Sequence, residues 1–154
     1  MHYFAYGSNM DWPQMQRRCP SSTFVCVARL ADYHFVIGRH SRLRHCGTAT
    51  VVVQRGGEVW GIVYDVSDED LFALDAFEDG YRREKVFVTA LNDGHHPIEA
   101  LVYIADEEEC VPLPDPSYKR HILDGARHWQ LPPSYRAMLE KIEVSASQSP
   151  ISRS

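Results

Sequence analysis

No apolar stretch in this chain approaches the roughly 18 residues that a membrane-crossing helix needs, so no helical membrane span is expected. The opening residues hold no positive leader followed by a long apolar run, and no secretory signal is expected. Positive charge is in the minority, with 16 Lys and Arg against 21 Asp and Glu, a formal charge of −5 at pH 7. The signs are interspersed, which argues against a nucleic-acid surface built on a basic patch. The nearest thing to such a patch is Arg39-His40-Ser41-Arg42-Leu43-Arg44-His45. It reads first as a solvated loop and second as an anion-binding edge. Cysteine is sparse: Cys19, Cys26, Cys46 and Cys110 lie far apart with no C-x-x-C pair. They read as free thiols of a reducing compartment, with the cytosol as the default location. The eight histidines include His40, His45 and the pair His95-His96, none with the spacing of a zinc site. No metal and no cofactor are expected. Ser8 is not framed by Gly-x-Ser-x-Gly, which speaks against a hydrolase nucleophile elbow. There is no internal repeat and no domain boundary.

What is present is a chain of 154 residues, enough for one domain with a real core. It is organised around Tyr3-Phe4-Ala5-Tyr6-Gly7-Ser8-Asn9-Met10. An aromatic, apolar strand breaks at Gly7 and then offers two small polar residues. Glycine permits the positive φ that turns backbone N–H groups toward one point, and Ser and Asn brace such turns. That cluster suits a carboxylate or a developing oxyanion. The same residues also fit a plain strand and tight turn leading into a helix.

Along the chain, Asn9 or Asp11 can cap a short helix that runs to about Arg18 with Pro13 in its first turn. Met10, Trp12 and Met15 form its packing face. Thr23 to Ile37 reads as two strands with a bend or bulge at Ala31-Asp32. Residues 38–47 read as a polar loop. Strands at 48–54 and 58–66 flank Arg55-Gly56-Gly57, a hairpin signal. Ser67-Asp68-Glu69-Asp70 opens a helix in the capping-box manner, with Leu71, Leu74 and Phe77 on one apolar face. Strands at 82–91 and 97–105 are joined by Asn92-Asp93-Gly94, and helices follow at 117–129 and 133–142. The pattern is α+β with a curved sheet or small barrel. Residues 1–143 form the expected domain, and the Ser-rich segment 144–154 is expected to be a disordered tail.

Five segments together resemble the γ-glutamyl cyclotransferase family, which includes the AIG2-like proteins. They are Tyr3 to Met10, Cys26 to Tyr33, Glu58 to Tyr64, Leu74 to Glu78 and Pro116 to Lys119, in the family's order. The resemblance implies a small, largely antiparallel β-barrel flanked by helices. It implies an enzyme in which the α-amine of a γ-glutamyl group attacks its own γ-carbonyl, releasing 5-oxoproline and an amino acid or amine. Two alternatives remain beside it: the same chemistry on a dedicated γ-glutamylated biosynthetic intermediate, and a non-catalytic module that binds a small carboxylate. Dimers occur in the family, so a homodimer stays open, although no heptad or apolar patch here points to one.

Glu78 is the principal candidate for catalysis. It ends the Ser67 helix, where the negative end of the helix dipole and aromatic neighbours both raise a carboxyl pKa. A solvated loop acid is the plainer account of the same residue. The resemblance aligns Glu78 with the family's catalytic glutamate. By the same resemblance, Tyr3, Phe4, Ala5, Tyr6, Gly7, Ser8 and Asn9 form the substrate-binding stretch. Tyr118 is a substrate-contacting hydroxyl, and Tyr103 and Tyr81 are pocket walls. Asp75 and Asp79 are read as helix-end and turn residues. The link from Glu78 to Tyr81 is shorter than in longer animal relatives, which bears on the leaving groups that fit.

Overall fold

The computed structural model describes residues 1–146. Residues 147–154, most of the expected tail, lie outside the described residues. Five strands are present: β1 (His2–Ala5), β2 (Thr23–Ser41), β3 (Cys46–Asp65), β4 (Arg82–Ala90) and β5 (Asp93–Ile104). They close a barrel in the order β1-β3-β2-β4-β5. Every pairing is antiparallel except the closing bridge, where Tyr3 of β1 meets Leu101 of β5 in parallel. Four helices flank it: α1 (Trp12–Arg18), α2 (Asp68–Phe77), α3 (Pro116–His128) and α4 (Pro133–Glu140). The α+β barrel expected from the sequence is the fold observed. Among the described residues no helix is long and apolar enough to cross a membrane.

The local signals for most elements act as chemistry predicts. Ser67 Oγ accepts from Asp70 N at 3.1 Å, and Asp70 Oδ2 accepts from Ser67 N at 3.0 Å, completing the capping box of α2. Pro13 sits in the first turn of α1, where a missing N–H costs nothing. Tyr118, Ile122 and Ala126 turn one face of α3 into the core.

The middle of the chain departs from expectation. β2 and β3 form one long hairpin, from Thr23↔Asp65 to Ser41↔Cys46. The stretch expected as a loop over 38–47 is strand up to Ser41, and only residues 42–45 reverse the chain. Arg55-Gly56-Gly57 makes no hairpin. Ala31 pairs with Glu58 and Tyr33 with Val53, so residues 54–57 bulge opposite the single Asp32. Asp32 adopts φ 65 and Gly56 φ 82. An aspartate tolerates the left-handed region, and glycine meets no steric penalty there. Asp32 Oδ1 then accepts the Gly56 N–H at 3.0 Å, closing the bulge. The hairpin signal was a turn, but both flanking strands already had a partner in β2.

The bend carries the outer half of the hairpin to the end of β1. There Thr50 Oγ1 donates to Ala105 O at 2.8 Å and accepts from Ala105 N at 3.0 Å, while Phe35 meets Tyr6 edge-on. After β1 the chain makes a single 3-10 turn, Ser8–Met10. Its carbonyls are taken up from below: Tyr64 Oη donates to Asn9 O at 2.8 Å and Trp129 Nε1 to Met10 O at 3.0 Å. Helix α3 packs so closely that a Cβ on Gly125 would lie 2.3 Å from the Met10 carbonyl carbon.

That contact yields a test. An alanine in a helix is favoured over glycine by about 1 kcal/mol on propensity alone. Overpacking costs about 1–3 kcal/mol and can exceed that when backbone must move. Gly125→Ala is therefore expected to lower the unfolding free energy in urea. A stability gain would mean that α3 is free to shift away from the 3-10 turn.

Candidate functional site

The end of β1, the 3-10 turn, the hairpin tip and the C-terminus of α2 converge on one pocket. It encloses about 540 Å³ of empty space, part of it open to solvent. Tyr3, Phe4, Tyr6, Gly7, Ser8, Asn9, Glu78, Tyr81, Tyr103 and Tyr118 all line it. Ala5 does not. It is buried, and its carbonyl oxygen packs against Gly61.

Gly7 differs from expectation in conformation. Its φ is −115, so it uses no left-handed geometry. A Cβ there would stand 3.5 Å from the Tyr118 hydroxyl and 3.9 Å from Ala49 Cβ. Those are ordinary contacts, so glycine keeps pocket space open rather than relieving strain. The turn's first helical bonds are Met10 N to Gly7 O at 3.1 Å and Asp11 N to Ser8 O at 3.0 Å. The N–H groups of Gly7, Ser8 and Asn9 precede that pattern and have no carbonyl of the turn to donate to.

Glu78 is the cap residue that ends α2, with its N–H on Leu74 O at 3.0 Å. Its carboxylate has no hydrogen-bond or ion-pair partner among the described residues. Burial pushes this carboxyl up to about 7, against the opposing pull of Arg18 and then Arg44, with Asp75 adding to the rise. The sequence expected such a rise from dipole and desolvation; desolvation is the larger cause.

The surrounding tyrosines are fixed by hydrogen bonds. Tyr103 Oη donates to Asp75 Oδ1 at 2.6 Å, and Arg83 pairs with the other Asp75 oxygen at 3.0 Å. Asp75 is thus more than a helix-end residue, because it orients a pocket hydroxyl. Tyr118 Oη accepts from Ala49 N at 2.9 Å, and Tyr81 Oη donates to Ala49 O at 2.6 Å. Burial raises the pKa of all three hydroxyls, so they stay protonated at neutral pH.

Two guanidiniums complete the wall, and neither was singled out from the sequence. Arg18 donates to Asn9 Oδ1 at 3.1 Å and lies 4.1 Å over the Phe77 ring. Phe77 accordingly faces the pocket side and is 41% exposed, instead of continuing the apolar face of α2. Arg44 donates to Gln14 Oε1 at 2.9 Å and to Ser8 Oγ at 3.3 Å. The Arg39–His45 stretch is therefore not simply a solvated loop, since its Arg44 enters the pocket. Nothing in the local spacing marks Arg44 or Gln14. The course of the long, bulged hairpin brings residue 44 to residue 8.

Residues 3–131 match the profile of a family described as gamma-glutamyl cyclotransferase, AIG2-like. The chain is similar to a gamma-glutamylcyclotransferase of Homo sapiens, 36% identical over 149 residues, covering 92% of this chain and 78% of the relative. It is likewise similar to a gamma-glutamylcyclotransferase of Mus musculus, 34% identical over 158 residues, covering 97% and 82%. A solved gamma-glutamyl cyclotransferase superposes with a TM-score of 0.87 at 34% identity, covering 97% of this chain and 91% of that one.

The raised carboxyl has a consequence for stability. Glu78 titrates at about 7 in the folded chain against an ordinary value of 4.5. The unfolded chain loses this proton first as pH rises. The stabilising contribution is therefore full below about 4.5 and is lost as pH rises through about 7. Glu78→Gln stays neutral throughout. At pH 8 it is expected to be more stable than the parent by on the order of 1–3 kcal/mol, a gain that fades as pH falls toward about 4.5. Urea unfolding across that range reads it. A gain that does not vary with pH would contradict the buried-carboxyl account.

Proposed function

The chain belongs to the gamma-glutamyl cyclotransferase, AIG2-like family, and on that premise we propose that its pocket closes a γ-glutamyl amide to 5-oxoproline with Glu78 as the proton carrier. The observation that carries this is the Glu78 carboxyl, facing the pocket and poised at about 7. A base is most useful when its pKa lies near the working pH.

The substrate arrives with its α-amine protonated. Glu78 carboxylate takes one proton from the ammonium, freeing the nitrogen lone pair. That nitrogen attacks the γ-carbonyl carbon, a C–N bond forms, and the carbonyl oxygen takes up the electron pair. The N–H groups of Gly7 and Ser8, in the pocket lining, would hold that oxyanion or the α-carboxylate. Collapse restores the carbonyl and breaks the original amide bond. Glu78 hands its proton to the departing nitrogen and then relays a second proton from the ring nitrogen. The products are the lactam and a protonated amine, and the carboxylate is regenerated. No water or redox partner enters the balance.

The remaining side chains serve geometry. Tyr118 and Tyr103 present hydroxyls whose positions are set by Ala49 and Asp75. Tyr3 and Tyr6 wall the inner end, both buried. Holding amine and carbonyl within attack distance is worth up to roughly 7–11 kcal/mol in favourable intramolecular reactions. The four cysteines are unpaired, which supports the cytosol as the place of action.

Release of 5-oxoproline tests the mechanism, from γ-glutamyl dipeptides and from γ-glutamyl-lysine linked through its side-chain amine. Glu78→Gln is expected to keep its fold and lose about 10²–10⁴-fold in turnover. The acid limb of kcat/KM for the parent is expected near pH 7, rising with pH as the carboxyl ionises. Near-parental turnover by Glu78→Gln would sink the assignment. Thermal stabilisation by these ligands without product would indicate a binding module instead.

A further inference from the structure

The cyclotransferase chemistry leaves two charges in the pocket without a task, Arg18 and Arg44. Arg44 stands in the 42–45 turn at the tip of the β2–β3 hairpin. Its position is built rather than incidental. One terminal nitrogen donates to Gln14 Oε1 and Ser8 Oγ, both buried residues. Gln14 Nε2 donates in turn to Ser8 Oγ at 2.9 Å and to Asn9 Oδ1 at 3.1 Å. The guanidinium also lies 5.0 Å from the centre of the Tyr118 ring. The other terminal nitrogen, Nη1, has no hydrogen-bond or carboxylate partner among the described residues.

Arg18 occupies the same pocket and also lacks an ion pair among the described residues. Glu78 is the one acidic side chain in the lining. With Glu78 ionised, these three groups sum to +1. A γ-glutamyl α-amino acid carries one ammonium and two carboxylates, a net −1, whereas a γ-glutamyl amine with no further charge is neutral. Two guanidiniums beside a single carboxylate are complementary to the former. The tip also lies toward the outside, since Leu43 beside Arg44 is 57% exposed while Tyr3, Tyr6 and Tyr118 are buried. A γ-glutamyl group seated at Glu78 among the buried tyrosines would leave its amino-acid portion on the more open, Arg44 side.

Resting on the cyclotransferase reading, we propose that Arg44 determines leaving-group specificity by binding the carboxylate of the departing amino acid. Its unengaged Nη1 carries two N–H groups that can donate charge-assisted hydrogen bonds to a carboxylate.

The test uses a matched pair of substrates, γ-glutamyl-alanine and γ-glutamyl-ethylamide, which differ only by the alanine carboxylate. The parent protein is expected to prefer the alanine compound by about 10- to 100-fold in kcat/KM. In Arg44→Met that ratio is expected to collapse toward one, with the loss for γ-glutamyl-alanine carried by KM. Arg44→Lys retains the charge without the guanidinium's separate anchoring and binding nitrogens and is expected to fall between them. Thermal melts confirm that each variant is folded. Equal use of both substrates by the parent, or an unchanged ratio in Arg44→Met, would overturn the role of Arg44 alone. No release from either substrate by the parent would overturn the cyclotransferase reading, and this role with it.

Discussion

The bulge at Asp32 is the constraint on which the site depends. β2 and β3 run as one hairpin from Thr23↔Asp65 to Ser41↔Cys46, far longer than the small barrel requires. A continuous pair of that length would project its tip into solvent. The left-handed Asp32 and Gly56, joined by the Asp32 carboxylate to Gly56 N–H bond, bend it instead. Thr48, Ala49 and Arg44 then meet the turn that follows β1. Ala49 in particular offers its N–H to Tyr118 and its carbonyl to Tyr81. One peptide segment of the bent hairpin therefore orients two pocket hydroxyls that lie 37 positions apart in the chain.

The pocket is electrostatically balanced by opposed effects. Two guanidiniums favour the ionised form of Glu78, while desolvation and Asp75 oppose it, and desolvation prevails. The outcome is a carboxyl able to take and return a proton near neutral pH. Arg18 is itself held below its usual pKa by burial and then by Arg44. Two cations and one acid thus share the pocket lining. Stability and chemistry are in tension here, because the same burial that tunes the base makes its ionised form costly.

Much of the framework was legible in the sequence. The Ser67 capping box, Pro13 in the first turn of α1 and the apolar face of α3 are local signals that no tertiary contact opposes. The strand that ends just before Gly7 was legible for the same reason, and of the ten residues expected at the site nine line the pocket while Ala5 does not. Elsewhere a local signal was outvoted. Arg55-Gly56-Gly57 has the residues of a hairpin, yet both neighbouring strands gain more hydrogen bonds from β2 than from each other. Phe77 has the spacing of a core residue, yet it lies under the Arg18 guanidinium at the rim of the pocket.

By itself, then, the sequence determined the helices and most of the strand residues, where α2 ends, and hence that Glu78 stands at a helix terminus among aromatic residues. Those properties follow from capping, periodicity and residue type within a few positions of each other. Tertiary structure alone decided that Arg44 and Gln14 reach Ser8, that Ala49 fixes Tyr118 and Tyr81, and that burial outweighs two arginines at Glu78. Each of those depends on distances between residues remote in sequence. They are set by how far one hairpin bends, and no local pattern encodes that angle.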